Sequence, residues 1–218
     1  MTQISYIPAL RFHGLTRFYD ALLARTLKEE ALKRRLVAQA ALEPGMSVLD
    51  LGCGTASLSL LIKQGHPGVE LHALDADEGA LGLARAKAKA AGLEIHFHQG
   101  YAQNLPLEVG TFDRILSSLV FHHLRMEDKQ RALSQAFRLL KPDGELHIAD
   151  WGRPRDPIQR LAFFSVQLLD GFETTRDSVK GILPQLMKQA GFTEVEEIRR
   201  DRTLFGTHAL YRGRRPES

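Results

Sequence analysis

The sequence predicts an α/β domain built on a mostly parallel sheet, and three observations carry that prediction. A short apolar run, Val48-Leu49-Asp50-Leu51, breaks at once into Gly52-Cys53-Gly54 and a helical pattern that starts near Thr55. A run this short and apolar fits a strand buried on both faces, as parallel strands are. From residue 45 onward, strand-like and helix-like segments alternate, which is the pattern of crossover units. Two strand-like runs, 193–199 and 203–211, then follow each other directly and point to an antiparallel pair at one sheet edge.

The elements follow in order. Residues 10–42 read as helical and amphipathic, with Phe12, Leu15, Phe18, Tyr19, Leu22 and Leu23 on the apolar side; this N-terminal helical cover is either a lid or a packed appendage. Residues 71–75 form the second strand. Asp77 caps the next helix, whose apolar positions are Leu81, Ala84 and Ala88 and whose stop is Gly92. The third strand is 93–98 and the fourth 112–118. Leu133, Ala136, Phe137 and Leu140 stand at i, i+3, i+4 and i+7, so that helix turns this stripe to the core. Lys141-Pro142-Asp143-Gly144 reads as a turn into a fifth strand at 145–150. A helix near 178–190 closes at Gly191. With no repeat and no low-complexity linker, residues 1–218 read as a single domain: cover 1–44, core 45–151, insertion and closing strands 152–218.

Composition narrows the function classes. Charged residues make up 25% and hydrophobic residues 44% of 218, both ordinary globular values, and the net charge of +3 implies no nucleic-acid tract. Arg199, Arg200, Arg202, Arg212, Arg214 and Arg215 cluster late in the chain and read as a solvated face. The single cysteine, Cys53, allows no internal disulfide and suits a reducing cytoplasm. Between two glycines it reads as a small residue that fits the turn. No apolar run is long enough for an integral membrane segment, and no signal-peptide core is present.

A strand that breaks into glycines and a helix start makes a small-molecule site, because glycine lets backbone approach a ligand. In the dinucleotide fingerprint G-x-G-x-x-G, the third glycine would fall at Ser57, which weakens that reading. Asp50-Leu51-Gly52-Cys53-Gly54-Thr55 instead resembles the first motif of the class I, seven-stranded S-adenosylmethionine-dependent methyltransferases. Further motifs stand in the family's order: Ala73-Leu74-Asp75, Asn104-Leu105-Pro106, Phe112-Asp113 with His122-His123-Leu124, and Leu140-Lys141-Pro142-Asp143-Gly144. Over roughly residues 15–150 the chain is similar to the ubiquinone/menaquinone-biosynthesis methyltransferase-like group. The resemblance implies a Rossmann-like doubly wound sheet, order 3-2-1-4-5-7-6, with strand seven antiparallel. It also implies S-adenosyl-L-methionine as cofactor.

On that resemblance, cofactor contacts fall to Tyr19, Asp50, Gly52, Cys53, Gly54, Asp75, Ala76, Tyr101, Ala102, Gln103 and Ser117. Asp75, 25 positions after Asp50, would accept from both ribose hydroxyls. Tyr19, with Arg11 and Arg17 nearby, would meet the methionine carboxylate, unless it belongs to the apolar stripe. Two departures stand out. Tyr101 occupies the place of an acidic residue near adenine, where its ring can stack but offers no carboxylate. Ala56 replaces a usual glycine, a milder change at a helix start.

Methyl transfer from a sulfonium is an in-line displacement that needs a base only if the nucleophile must lose a proton. His122 and His123, after strand four, are candidates for that base, with Asp150 orienting one of them; the alternative is that they cap or pack a turn. His96 and His98 alternate on a strand without a third ligand at suitable spacing, so no metal is expected. No serine lies in a G-x-S-x-G elbow. Phe163, Phe164, Leu168, Leu169 and Phe172 make the region after strand five apolar, through ordinary helix packing or for an aromatic, quinone-like or lipid acceptor. The expected protein is therefore a cytoplasmic monomer or homodimer that methylates a small molecule. The competing readings are an NAD(P)-dependent oxidoreductase and a non-catalytic S-adenosylmethionine-binding protein.

Overall fold

A computed structural model describes residues 29–104, 107–203 and 206–217. In chain order the first elements are α1 (Glu29–Gln39), β1 (Ser47–Leu51), α2 (Ser57–Gly65), β2 (Glu70–Asp75), α3 (Glu78–Ala90), β3 (His96–Gln99) and β4 (Phe112–Ser118). A 3-10 turn at Phe121–His123 leads to α4 (Met126–Leu139), β5 (Leu140–Trp151), α5 (Pro157–Asp170), α6 (Phe172–Lys180), α7 (Leu183–Gln189), β6 (Thr193–Arg202) and β7 (Thr207–Arg214). They build one seven-stranded sheet in the order β3-β2-β1-β4-β5-β7-β6. β7 runs antiparallel to both its neighbours, and the remaining pairings are parallel.

β1 is buried along its whole length because both sheet faces are covered. Leu49 and Leu51 face the cluster that α4 completes with Leu133, Ala136 and Leu139. Val48 faces the opposite cluster, with Leu32 and Leu36 of α1 and Leu58 and Ile62 of α2. Alternate side chains of one strand thus feed two cores, which is why the run shows no polar alternation. Asp77 caps α3 by accepting from the backbone N–H of Gly79 and Ala80.

The structure moves several boundaries. Leu140 ends the helical stripe but already belongs to β5, and residues 141–144 are a bulge inside that strand instead of a turn before it. Asp143 adopts a left-handed φ of 63° there, its carboxylate held by Arg214 at 2.7 Å, and Lys141 Nζ donates to Asp113 at 2.8 Å. Edge strand β3 begins at His96. The helix expected over 178–190 breaks at Gly181, whose φ of 67° ends α6 before α7 begins. Of the N-terminal cover, α1 is described; Tyr19, Arg11 and Arg17 lie outside the described residues, as do Leu105 and Pro106. No helix among the described residues is long and apolar enough to cross a membrane.

Candidate functional site

The chain builds outward from β1 in two directions, through β2 and β3 on one side and β4 and β5 on the other. A crevice opens where the strand order reverses, at the carboxyl ends of β1 and β4. The glycine loop sits there. The N–H groups of Gly52 and Cys53 both donate to the Leu74 carbonyl, at 2.8 and 2.9 Å, folding the loop against the end of β2. Gly52 has φ 79°, and a Cβ on it would lie 2.4 Å from Val120 Cγ2, so close packing as well as backbone shape demands glycine. Around Gly54, φ 52°, the space is open within 4 Å. Ala56 is buried in the left-handed region at φ 65°, a conformation that costs an L-residue roughly 1–2 kcal/mol. Its replacement of glycine is therefore not mild.

Two carboxylates frame the loop. Asp50 is buried at the end of β1; Ser59 Oγ donates to its Oδ2 at 2.5 Å, and its Oδ1 has no partner. Burial pushes its carboxyl up to about 6, against the pull of the Ser59 hydrogen bond and the Lys33 charge. Lys33 of α1 is itself anchored to Glu29 and to Ser57 Oγ at the start of α2. A buried acceptor with nothing to accept, beside an open glycine, fits an ammonium group. Asp75 accepts from Gly54 N–H at 2.7 Å and Asp77 N–H at 2.9 Å. Each oxygen keeps a second lone pair for a hydroxyl, and burial raises its carboxyl too. These features fit the amino acid and ribose ends of S-adenosylmethionine.

The other expected cofactor residues are spread along the same rim. Ala76 lies in the turn between Asp75 and the Asp77 cap. Gly100 N–H donates to Asp75 O at 2.9 Å, which brings Tyr101, Ala102 and Gln103 beside the end of β2. Tyr101 bridges to Asn104, and Ala102 packs against the core. Ser117 Oγ donates to Leu51 O at 2.9 Å, tying β4 to β1 under the loop. Cys53 is buried, and burial pushes its thiol well above the usual range, so it is no nucleophile.

Across the switch point lies the second half of the site. The 3-10 turn after β4 puts His122 over the end of β5, where Nδ1 stands 2.7 Å from Asp150 Oδ1. Asp150 also accepts from the backbone N–H of Trp151 at 2.7 Å and of His122 at 3.3 Å. Burial works against its ionisation, but the His122 charge and hydrogen bonds outweigh it and hold the carboxyl below its usual range. His123 is separate: its ring packs on His122 at 3.9 Å, and burial first, then the His122 charge, push it down to about 3. The structure thus divides the two histidines, pairing His122 with the carboxylate and keeping His123 neutral.

A small cleft opens beside this pair, lined by His122, Asp150, Trp151, Tyr211, Lys129 and residues of the α6–α7 hinge. Lys129 Nζ is buried and donates to Thr174 O at 2.8 Å and Asp177 Oδ2 at 3.1 Å, which holds α6 over the cleft. His208, opposite Trp151 on β7, is buried with Nε2 unpartnered, and burial pushes it down to about 4. Lys129, Tyr211, His208 and Lys33 escaped sequence reasoning; each sits in an ordinary helix or strand pattern, and only strand order brings it to the site. The apolar stretch of α5 divides: Phe163 packs edge-on against Trp151 at 5.3 Å, whereas Leu168 is 64% exposed.

This architecture and its glycine loop define a class I methyltransferase domain. Residues 48–144 match a family model described as a methyltransferase domain. The demethylmenaquinone methyltransferase of Thermus thermophilus is 31% identical over 202 residues, covering 84% of this chain and 89% of that protein. A ubiquinone/menaquinone biosynthesis C-methyltransferase of Shewanella halifaxensis is 28% identical over 93% of this chain and 88% of its own. The YcgJ protein of Bacillus subtilis shares the fold with a TM-score of 0.72 at 18% identity, over 87% of this chain and all of that one. The chain belongs to the S-adenosylmethionine-dependent methyltransferase family. Its chemistry is S-adenosylmethionine-dependent methyl transfer, which displaces the nicotinamide alternative.

Proposed function

We propose that this protein methylates a small quinone-like aromatic acceptor, with His122 as the group that takes the acceptor's proton and Asp150 as the residue that positions it. The observation that carries this reading is the 2.7 Å contact between His122 Nδ1 and Asp150 Oδ1 on the wall of the cleft. An ionised carboxylate can only accept, so Nδ1 carries the hydrogen of that contact, and Nε2 is the ring atom that would take up the acceptor's proton. When bound, S-adenosylmethionine supplies an electrophilic methyl on its sulfonium. Asp50, Gly52, Gly54 and Asp75 would hold its amino acid and ribose ends, and Tyr101, Ala102 and Gln103 its adenine. Ala76, Cys53 and Ser117 shape the loop around it.

The acceptor's side of the cleft is apolar, with Phe121, Trp151, Ile182, Leu183 and Leu186 on its walls. Apolar walls suit a flat aromatic, whose hydroxyl would meet His122. Removing that proton raises electron density at the carbon or oxygen to be methylated. The names of the Thermus and Shewanella relatives support a quinone precursor. We place the protein in the cytoplasm as a monomer or homodimer, where its one thiol stays reduced.

The test compares His122→Ala with His123→Ala, using labelled methyl transfer to a demethylmenaquinol analogue. Loss of a general base lowers kcat by roughly 100- to 10,000-fold, and that is expected for His122→Ala alone. S-adenosylhomocysteine binding should stay within about twofold in both variants, since neither histidine is among the residues proposed to hold the cofactor. Equal turnover by His122→Ala and the natural protein overturns the proton-transfer role. Absence of turnover with any quinol, but transfer to another acceptor class, overturns the substrate.

A further inference from the structure

The far edge of the sheet carries a cluster that methyl transfer does not use. β2 and β3 pair in parallel, with His72 opposite His96 and Leu74 opposite His98. Period-two alternation sends Glu70 and His72 of β2, and His96 and His98 of β3, to one face. α3 packs on the other face, through Leu81 with Ala73 and Phe97. One nitrogen each of His72 and His96 and one carboxylate oxygen of Glu70 lie within 4.8 Å of one another. His72 Nε2 stands 3.4 Å from Glu70 Oε1, and its Nδ1 stands 2.9 Å from His98 Nε2. The three-ligand set invisible in the sequence is completed by strand pairing.

We propose that Glu70, His72 and His96 form a binding site for a divalent transition-metal ion, Zn²⁺ by ligand type, that ties edge strand β3 to β2. Two imidazoles and one carboxylate suit zinc and leave a fourth position for water. At zinc bond lengths near 2.0–2.2 Å, tetrahedral ligand atoms stand roughly 3.3 Å apart. The His72–Glu70 separation of 3.4 Å already meets that spacing. Glu70 and His96 are exposed, so side-chain rotation can bring the third ligand in by about an ångström without disturbing the core.

His98 acts from behind. With the His72 Nδ1–H donated to His98, the Nε2 lone pair faces Glu70, which is the tautomer a metal needs. Protection of a sheet edge explains scattered charge, but it does not require imidazoles in mutual contact, at 4.9 and 5.1 Å between ring centres. The site would also bear on the ligand rim. His72 precedes Asp75 by three residues, roughly 10 Å along the strand. β3 runs directly through Gly100 into Tyr101–Gln103, so an ion that clamps β3 steadies the segment proposed to hold adenine.

Calorimetric titration of the untagged, chelator-treated chain with Zn²⁺ tests the site. One ion should bind per chain and raise the melting temperature, and Mg²⁺ should do neither. His72→Ala and His96→Ala should each weaken Zn²⁺ binding at least about tenfold, and His98→Ala by about 10- to 100-fold. His66→Ala, on the loop before β2, should leave it unchanged. S-adenosylhomocysteine binding by each variant verifies that the domain is folded, independently of turnover. Failure of the natural protein to bind Zn²⁺, or undiminished binding by the His72 and His96 variants, overturns the proposal.

Discussion

Asp50→Asn turns a buried carboxyl at the base of the glycine loop into an amide. Burial raises the Asp50 carboxyl from 3.8 to about 6, so keeping it ionised at neutral pH costs the fold about 3 kcal/mol, at 1.36 kcal/mol per unit. The asparagine carbonyl can still accept from Ser59, as Oδ2 does at 2.5 Å. Its NH₂ then replaces the unpartnered Oδ1, and an unmatched buried donor costs about 1–2 kcal/mol. The net expectation is a gain of about 1–2 kcal/mol for the protein without ligand, or about 2–8 °C in melting temperature for a domain of this size.

The pH dependence has a definite sign. The folded-state pKa lies above the unfolded one, so the native state binds the extra proton between about 4 and 6. The Asp50 contribution to stability is therefore complete below that range and is lost as pH rises through about 6; the stability difference between variant and natural protein should open over this window. Loss of a charged acceptor should also weaken S-adenosylhomocysteine about 10- to 100-fold. Urea unfolding of the ligand-free proteins and calorimetric binding are the assays. A variant less stable than the natural protein by more than about 1 kcal/mol, or one with unchanged affinity, refutes the account of Asp50 as a strained acceptor kept for an ammonium.

Two further perturbations probe the frame around the site. Asp150→Ala leaves the His122 ring and the Trp151 N–H without their buried acceptor and should cost about 3–5 kcal/mol in urea unfolding; a loss under about 1 kcal/mol would show that the pair is not buried as described. Gly52→Ala puts a Cβ 2.4 Å from Val120 at φ 79° and should cost about 2–3 kcal/mol. Adding Val120→Ala should recover the steric part but not the backbone part, so full recovery would contradict a backbone requirement for glycine.

Much of the fold could be read in advance because its signals are local. β4 spans 112–118 as expected, Asp77 caps α3, and Gly92 follows α3 with φ 65°. Each depends on a few neighbouring residues: an apolar run, a side-chain oxygen that reaches backbone N–H groups, a residue without Cβ. The errors fall where distant residues intervene. Residues 141–144 look like a free turn, yet Asp113 and Arg214 hold them inside β5 as a bulge. Ala56 looks like an ordinary helix start, but it is left-handed at φ 65°, with its N–H donated back to Cys53 O.

The site divides the same way. Asp50, the two loop glycines and Asp75 lie in short motifs whose geometry follows from one strand, one turn and the next strand, so the sequence by itself carried the resemblance that implies the cofactor. Which of two adjacent histidines pairs with a carboxylate was decided by the approach of β5 to the turn after β4. Tyr211 and Lys129 reached the cleft, and His72 reached His96 and His98, only through strand order and register. Local chemistry acts over a few residues along the chain, while proximity between distant residues is set by how buried surfaces pack. The motifs therefore named the reaction, and the tertiary structure paired one histidine with a carboxylate and brought the histidine cluster together at the sheet edge.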